Sequence, residues 1–182
     1  MSTDALHLSQ GARSAFAVGP ATAYRGRVHS TGTRLLAGAG APDDPGEPDP
    51  ALATALAAYA EDPAREPEVL AALAEARLLV PVVAELGESQ TGPDGLVRDK
   101  SADMATVLMR GADGRLALLA FTGLQSLHRW DPEARPVPVP ARTAALAALQ
   151  DGADALLLDV AGPVSYAAAI GSSAEQSVTI ER

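Results

Sequence analysis

Histidine, lysine and cysteine go far to decide whether a chain can run acid–base or nucleophilic chemistry, and here they are thinly spread. The sequence has three histidines, His7, His29 and His128, one lysine, Lys100, and no cysteine. Without thiols there is no disulfide, no thiolate metal site and no cysteine nucleophile. His128 stands alone between residues 49 and 182, so neither a histidine pair nor a set of two histidines with a carboxylate forms within that stretch. It has the chemistry of a general base, but a lone histidine ending a short helix is more often a packing or surface residue. Lys100 and Ser101 sit between Asp99 and Asp103. A Lys–Ser pair turns nucleophilic when the lysine is desolvated; this charged, loop-like setting keeps it solvated and favours a salt-bridged loop. Asp159 follows a leucine-rich run and precedes Gly162-Pro163. It has the chemistry of a cation ligand, while capping a turn is the ordinary role of aspartate in that place. The phosphate-loop, Gly-x-Ser-x-Gly and calcium-loop patterns are all missing. Catalytic residues, metals and cofactors are therefore each expected to be none.

One patch stands out for binding rather than chemistry: Phe121, Thr122, Gly123, His128 and Trp130. Trp130 is the only tryptophan, followed by Asp131-Pro132. Tryptophan and arginine are enriched at binding hot spots, and Arg129 adjoins it. The alternative is a ring that covers a sheet edge.

The elements that must position this patch are legible from pattern. Residues 1–48 are rich in Gly, Ser, Thr, Ala and Pro, without a sustained period, and read as a poorly ordered arm; Val28, Leu35 and Leu36 are candidates for a short strand. Asp49 is an N-cap with Pro50 at the first helical position, and Leu52, Leu56 and Tyr59 share one face. A second helix runs from about 66 to 77, with Val69, Leu70, Leu73 and Ala74 or Ala76 as its stripe. Residues 78–83 form an apolar strand, in which Pro81 requires an edge, a bulge or an N–H position pointing away from the ladder. Residues 86–102 read as a loop. Residues 104–109 and 116–121 flank Gly-Ala-Asp-Gly as a hairpin. A short helix over 124–129, a stiff proline-rich piece over 130–140, a helix over 141–151 burying Leu146 and Leu149 and ending at Gly152, a central strand over 155–160 and a closing element over 164–170 complete the domain. The order predicts a single α+β domain over 49–170, a mixed sheet with a hairpin and helices packed on it, and a flexible tail over 171–182.

Composition bounds the partners. Of 182 residues 47% are apolar, but 39 of the apolar residues are alanine and aromatics make up only 3%, so Leu, Val and Ala must build the core. The net charge is −9, which argues against nucleic acid and anionic membrane as partners, since both need a basic face. No run of about 18 apolar residues predicts a membrane helix. Arginine outnumbers lysine 13 to 1 and asparagine is absent, a coding bias rather than a chemical one.

Ala72 to Val83, Phe121-Thr122-Gly123, Trp130 and Leu156 to Pro163 together resemble the SseB N-terminal-domain family in its actinobacterial form. The resemblance covers roughly residues 50–166 and rests on the order and spacing of these pieces. Gly123 stands where serine is common, and Asp159-Val160-Ala161-Gly162-Pro163 replaces the usual asparagine and proline. The resemblance implies a bacterial cytoplasmic protein lacking the family's second, C-terminal domain, with no established catalytic residues to carry over. The expectation is a non-enzymatic protein-binding or regulatory domain, with a protein partner and a possible homo-oligomer. The alternatives are a small-molecule sensor with a pocket between the sheet and helix 141–151, or an enzyme linked to serine metabolism, after the serine sensitivity in the family's name.

Overall fold

In the computed structural model of the chain, residues 8–9, 36, 43–85, 103–111 and 114–171 are described. Loop 86–102, with Asp99, Lys100 and Ser101, falls outside them, as do most of the expected arm and the tail beyond residue 171.

Helix α1 (Pro50–Glu61) begins as its sequence dictates. The Asp49 carboxylate accepts from the N–H groups of Ala51 and Leu52 at 2.9 and 3.1 Å, and Pro50 takes the position that needs no donor. Leu52 and Leu56 are buried, and Tyr59 packs beside them. A 3-10 turn at Pro63–Arg65 leads into α2 (Glu66–Glu75), which buries Val69 and Leu73. Strand β2 (Arg77–Glu85) follows, with β3 (Asp103–Thr106), β4 (Leu108–Arg110), β5 (Leu116–Ala120), α3 (Leu124–Trp130), β6 (Arg135–Pro140), α4 (Ala141–Gln150), β7 (Ala155–Leu158) and β8 (Tyr166–Ile170). Ahead of them all, β1 (Leu8–Ser9) pairs with Ile170 and Ala169.

The strands form an α+β domain with two sheets rather than one. The larger has the order β1-β8-β7-β5-β4, in which β5 and β7 run parallel and the other pairs antiparallel; the smaller is antiparallel, β3-β2-β6. Leu79 and Phe121 join them by exchanging two backbone hydrogen bonds of 2.8 Å. The period of two carries through both sheets. Leu78, Val80, Leu118, Ala120, Leu156, Leu158 and Val139 face one core with α1, α2 and α4; Leu79, Ala117, Leu119, Phe121, Ala155 and Leu157 face the other way, onto Leu127 of α3. The expected central strand is central, between β5 and β8.

The structure changes two sequence expectations, at the hairpin and at α4, and makes two others specific, at Pro81 and in the proline-rich piece. The hairpin holds only between Leu108–Arg110 and Leu116–Leu118, because at Val107 the chain leaves β2 for β5: Thr106 pairs with Val82, while the Val107 carbonyl accepts from Leu119 N–H at 3.0 Å. Pro81 lies in the middle strand of its sheet, and of the three alternatives open to it the one taken is a backbone position outside the ladder. Leu79 faces Phe121 and Val83 pairs with Ala105, so Pro81 sits where β2 changes neighbours and no donor is needed. The proline-rich piece is the edge strand β6, paired with β2 over six residues. Since Leu79 bonds to Phe121, the bonds between β2 and β6 run through Leu78–Val139 and Val80–Val137, and Pro136, Pro138 and Pro140 fall on the outward positions. Finally, α4 buries Ala141, Ala144, Ala145, Ala147 and Ala148 and leaves Leu146 and Leu149 at 40% and 38% exposure. Alanines on the inner face let the helix sit close to the sheet, which turns the leucines outward. Gly152 ends α4 at φ +73°, as expected of that residue.

Three parts of the expected arm touch this domain: Leu8–Ser9 in β1; Leu36, which is buried in the main core and helical rather than part of the short strand expected there; and residues 44–48, which lie against Arg77 and the start of α3.

Candidate functional site

Parallel strands β5 and β7 end side by side, and in open sheets the loops beyond such carboxyl ends are where sites are built. Here the loops are Phe121–Gly123, leading into α3, and Asp159–Gly162. Asp159 N–H donates to the Ala120 carbonyl at 3.0 Å and so fixes one loop against the other strand. Its backbone is left-handed, φ +49°, a conformation that aspartate tolerates better than most residues. The Asp159 carbonyl accepts from Gly162 N–H at 2.8 Å, closing the turn. A side chain at Gly162 would lie 2.8 Å from Asp159 Cβ, so the turn closes only over glycine.

The Asp159 carboxylate does not cap its own turn. It reaches across to the other loop, accepting from Thr122 N–H at 3.0 Å, Thr122 Oγ1 at 2.6 Å and Ser126 Oγ at 2.5 Å. Ser126 Oγ also lies 3.0 Å from the Gly123 carbonyl. Thr122, Ser126 and Asp159 are all buried. An aspartate beside a serine hydroxyl is half of a nucleophile–base arrangement, but these groups are turned toward one another and closed off from solvent. Their arrangement locks two loops together.

Arg77 binds the same turn from outside. One guanidinium nitrogen donates to the Thr122 carbonyl at 3.0 Å, a second to the Glu47 carbonyl, and Nε lies 2.7 Å from Asp44 Oδ2. Segment 44–48 is thereby strapped over the start of α3, where Leu124 N–H donates to the Gly46 carbonyl at 2.8 Å. Two glycines make that contact possible. Gly46 has φ +74°, and a Cβ there would stand 2.2 Å from Leu124 Cδ1; one on Gly123 would stand 2.8 Å from Pro48 Cδ.

The five residues singled out by sequence divide into three groups. Thr122 and Gly123 belong to this buried joint. Phe121 is fully buried and stacks, tilted by 34°, on the half-buried Trp130 ring with centroids 5.6 Å apart. His128 and Arg129 are exposed on the last turn of α3, beside Trp130. Sequence reasoning missed Ser126 and Arg77. Gly-x-x-Ser at the start of a short helix is a weak signal for the first, and nothing local marks the second, whose partners lie 30 and 45 positions away. Among the described residues, no three His, Cys, Asp or Glu side chains are grouped to hold a metal ion, and no helix is long and apolar enough to cross a membrane.

Fold and joint together define an α+β domain of two short sheets fastened at the carboxyl ends of one parallel strand pair. The model of the SseB protein N-terminal domain matches residues 52–167, and the chain belongs to that family. That span takes in nearly all of the domain from α1 to β8 and both joined loops. Neither the curated proteins nor the solved structures give a match.

Proposed function

We propose that this domain is a non-enzymatic protein-binding or regulatory module of the bacterial cytoplasm, with Trp130 at the centre of its binding face. The observation that carries this reading is the setting of that ring. It rests on fully buried Phe121, at the junction of α3 and the turn into the proline strand, and keeps part of its surface in solvent. A ring held in this way loses little entropy when a partner docks. Exposed His128 and Arg129 supply polar rim contacts around an apolar anchor. The joint beneath supports the same reading: Thr122, Ser126 and Asp159 spend their polar groups on one another and hold the platform in place.

The test pairs two measurements on Trp130→Ala: thermal unfolding, and retention of proteins that co-purify with the wild type from the native cell. The expected result is a folded variant whose affinity for the retained partner falls by about 2 kcal/mol, roughly thirty-fold. A loss of about 3–5 kcal/mol in stability would instead make the ring a core residue. A folded variant that retains every partner normally would end the proposal.

A further inference from the structure

The outer strands of the two sheets are built differently. In β6 the outward positions are Pro136, Pro138 and Pro140, which present no N–H to an incoming strand. In β8, Tyr166-Ala167-Ala168-Ala169-Ile170, there is neither proline nor charge. Its donors alternate: Ile170 N–H turns inward to the Asp154 carbonyl at 2.9 Å, so Ala169 and Ala167 turn theirs outward. Ser9 pairs with Ala169 and Leu8 with Ile170, and among the described residues no strand lies outside Ala167. An edge with small, uncharged side chains and a two-residue cover is made to accept a strand.

The segment that covers it is joined to the domain at a distance. Residues 10–35 separate Ser9 from buried Leu36, a stretch of 26 residues with a reach of up to about 85 Å when extended. That reach permits the same pairing within one chain or between two, and the contacts of Leu8–Ser9 with Ala169–Ile170 are alike in both. We propose that the β8 edge is a strand-exchange interface: Leu8–Ser9 of one copy pairs with Ala169–Ile170 of a second copy, and the second returns the same contact. The resulting dimer is reciprocal and closed, as two-fold assemblies are. Because the competing intramolecular pairing has an effective concentration in the millimolar range, exchange becomes appreciable as chain concentration approaches about 1 mM.

A chain without cysteine makes the test direct. Full-length Ser9→Cys and full-length Ala169→Cys are mixed at about 1 mM under mild oxidation, and the disulfide-linked products are counted. Ser9 and Ala169 stand directly opposite, so exchange predicts the mixed Ser9→Cys/Ala169→Cys dimer in roughly five-fold excess, or more, over random pairing of the two thiols. The same mixture oxidised in concentrated urea, where no sheet holds the two positions together, should lose that excess. A random product ratio in native buffer, or an excess unchanged by urea, would overturn the proposal. The result is independent of Trp130, which lies on another element.

Discussion

The joint between the sheets and the outer edge of β8 are both built on strand backbone, yet they end in opposite states. At the joint every group is answered: Leu79 and Phe121 exchange both backbone bonds, Asp159 holds three donors, and Arg77 reaches three acceptors. Among the described residues no buried side-chain polar atom lacks a partner. At the β8 edge, among the described residues, only Ala169 and Ile170 have a strand outside them. The difference follows from solvent. A buried polar group left unmade costs about 1–3 kcal/mol, so the joint must be complete, whereas water satisfies an edge at little cost and leaves it available.

The sharpest way to break this contrast is at Asp159. Asp159→Ala strands two buried donors, Thr122 N–H and Oγ1, leaves Ser126 Oγ with only the Gly123 carbonyl, and should cost about 3–5 kcal/mol in denaturant unfolding. Asp159→Asn keeps one acceptor and tolerates the left-handed backbone, so it should cost clearly less; equal losses would mean that the backbone, not the carboxylate, matters. Gly46→Ala comes next. It puts a methyl on a positive-φ residue and into Leu124, with an expected loss of about 2 kcal/mol in the same assay. Arg77→Lys keeps the charge but loses the fork that reaches three acceptors at once, and should cost about 1 kcal/mol. At the opposite end of the scale, Pro138→Thr restores an outward donor on β6. Its melting temperature should barely move, but light scattering at high concentration should show new self-association; a variant as monodisperse as the wild type would mean that the prolines do not guard that edge.

Much of the fold was legible because its causes are local. Asp49-Pro50 starts a helix through its own side chain and its own missing donor, and Ala155-Leu156-Leu157-Leu158 is buried on both faces because it is apolar on both. The places where the reading failed depend on distance. Nothing near Asp159 says that its carboxylate will serve a threonine 37 positions earlier, and nothing near Val107 says that the strand will change partners there. Leu146 and Leu149 misled for a related reason. Hydrophobicity ranks leucine above alanine, but how closely the helix approaches the sheet decides which of them fits, and that is set by strands elsewhere in the chain. At the patch, the residue types drew attention to Phe121 and Trp130, whose rings pack together, and to Thr122 and Gly123, whose role in the joint depends on residues distant in the chain.

The alanine face of α4 also decides how this protein tolerates inherited change. In most cores the common injury is loss of volume, a leucine cut back to something smaller. Ala144, Ala147 and Ala148 are wholly enclosed and have almost nothing to lose. Most single-base changes in an alanine codon lead to a larger residue, such as valine, threonine, aspartate or proline. Each added methylene in so close a contact forces the helix away from the sheet, at about 1–3 kcal/mol. The helix is therefore most exposed to gain of volume, and a survey of tolerated variants should find these three positions restricted to alanine, serine and glycine while Leu146 and Leu149 drift freely.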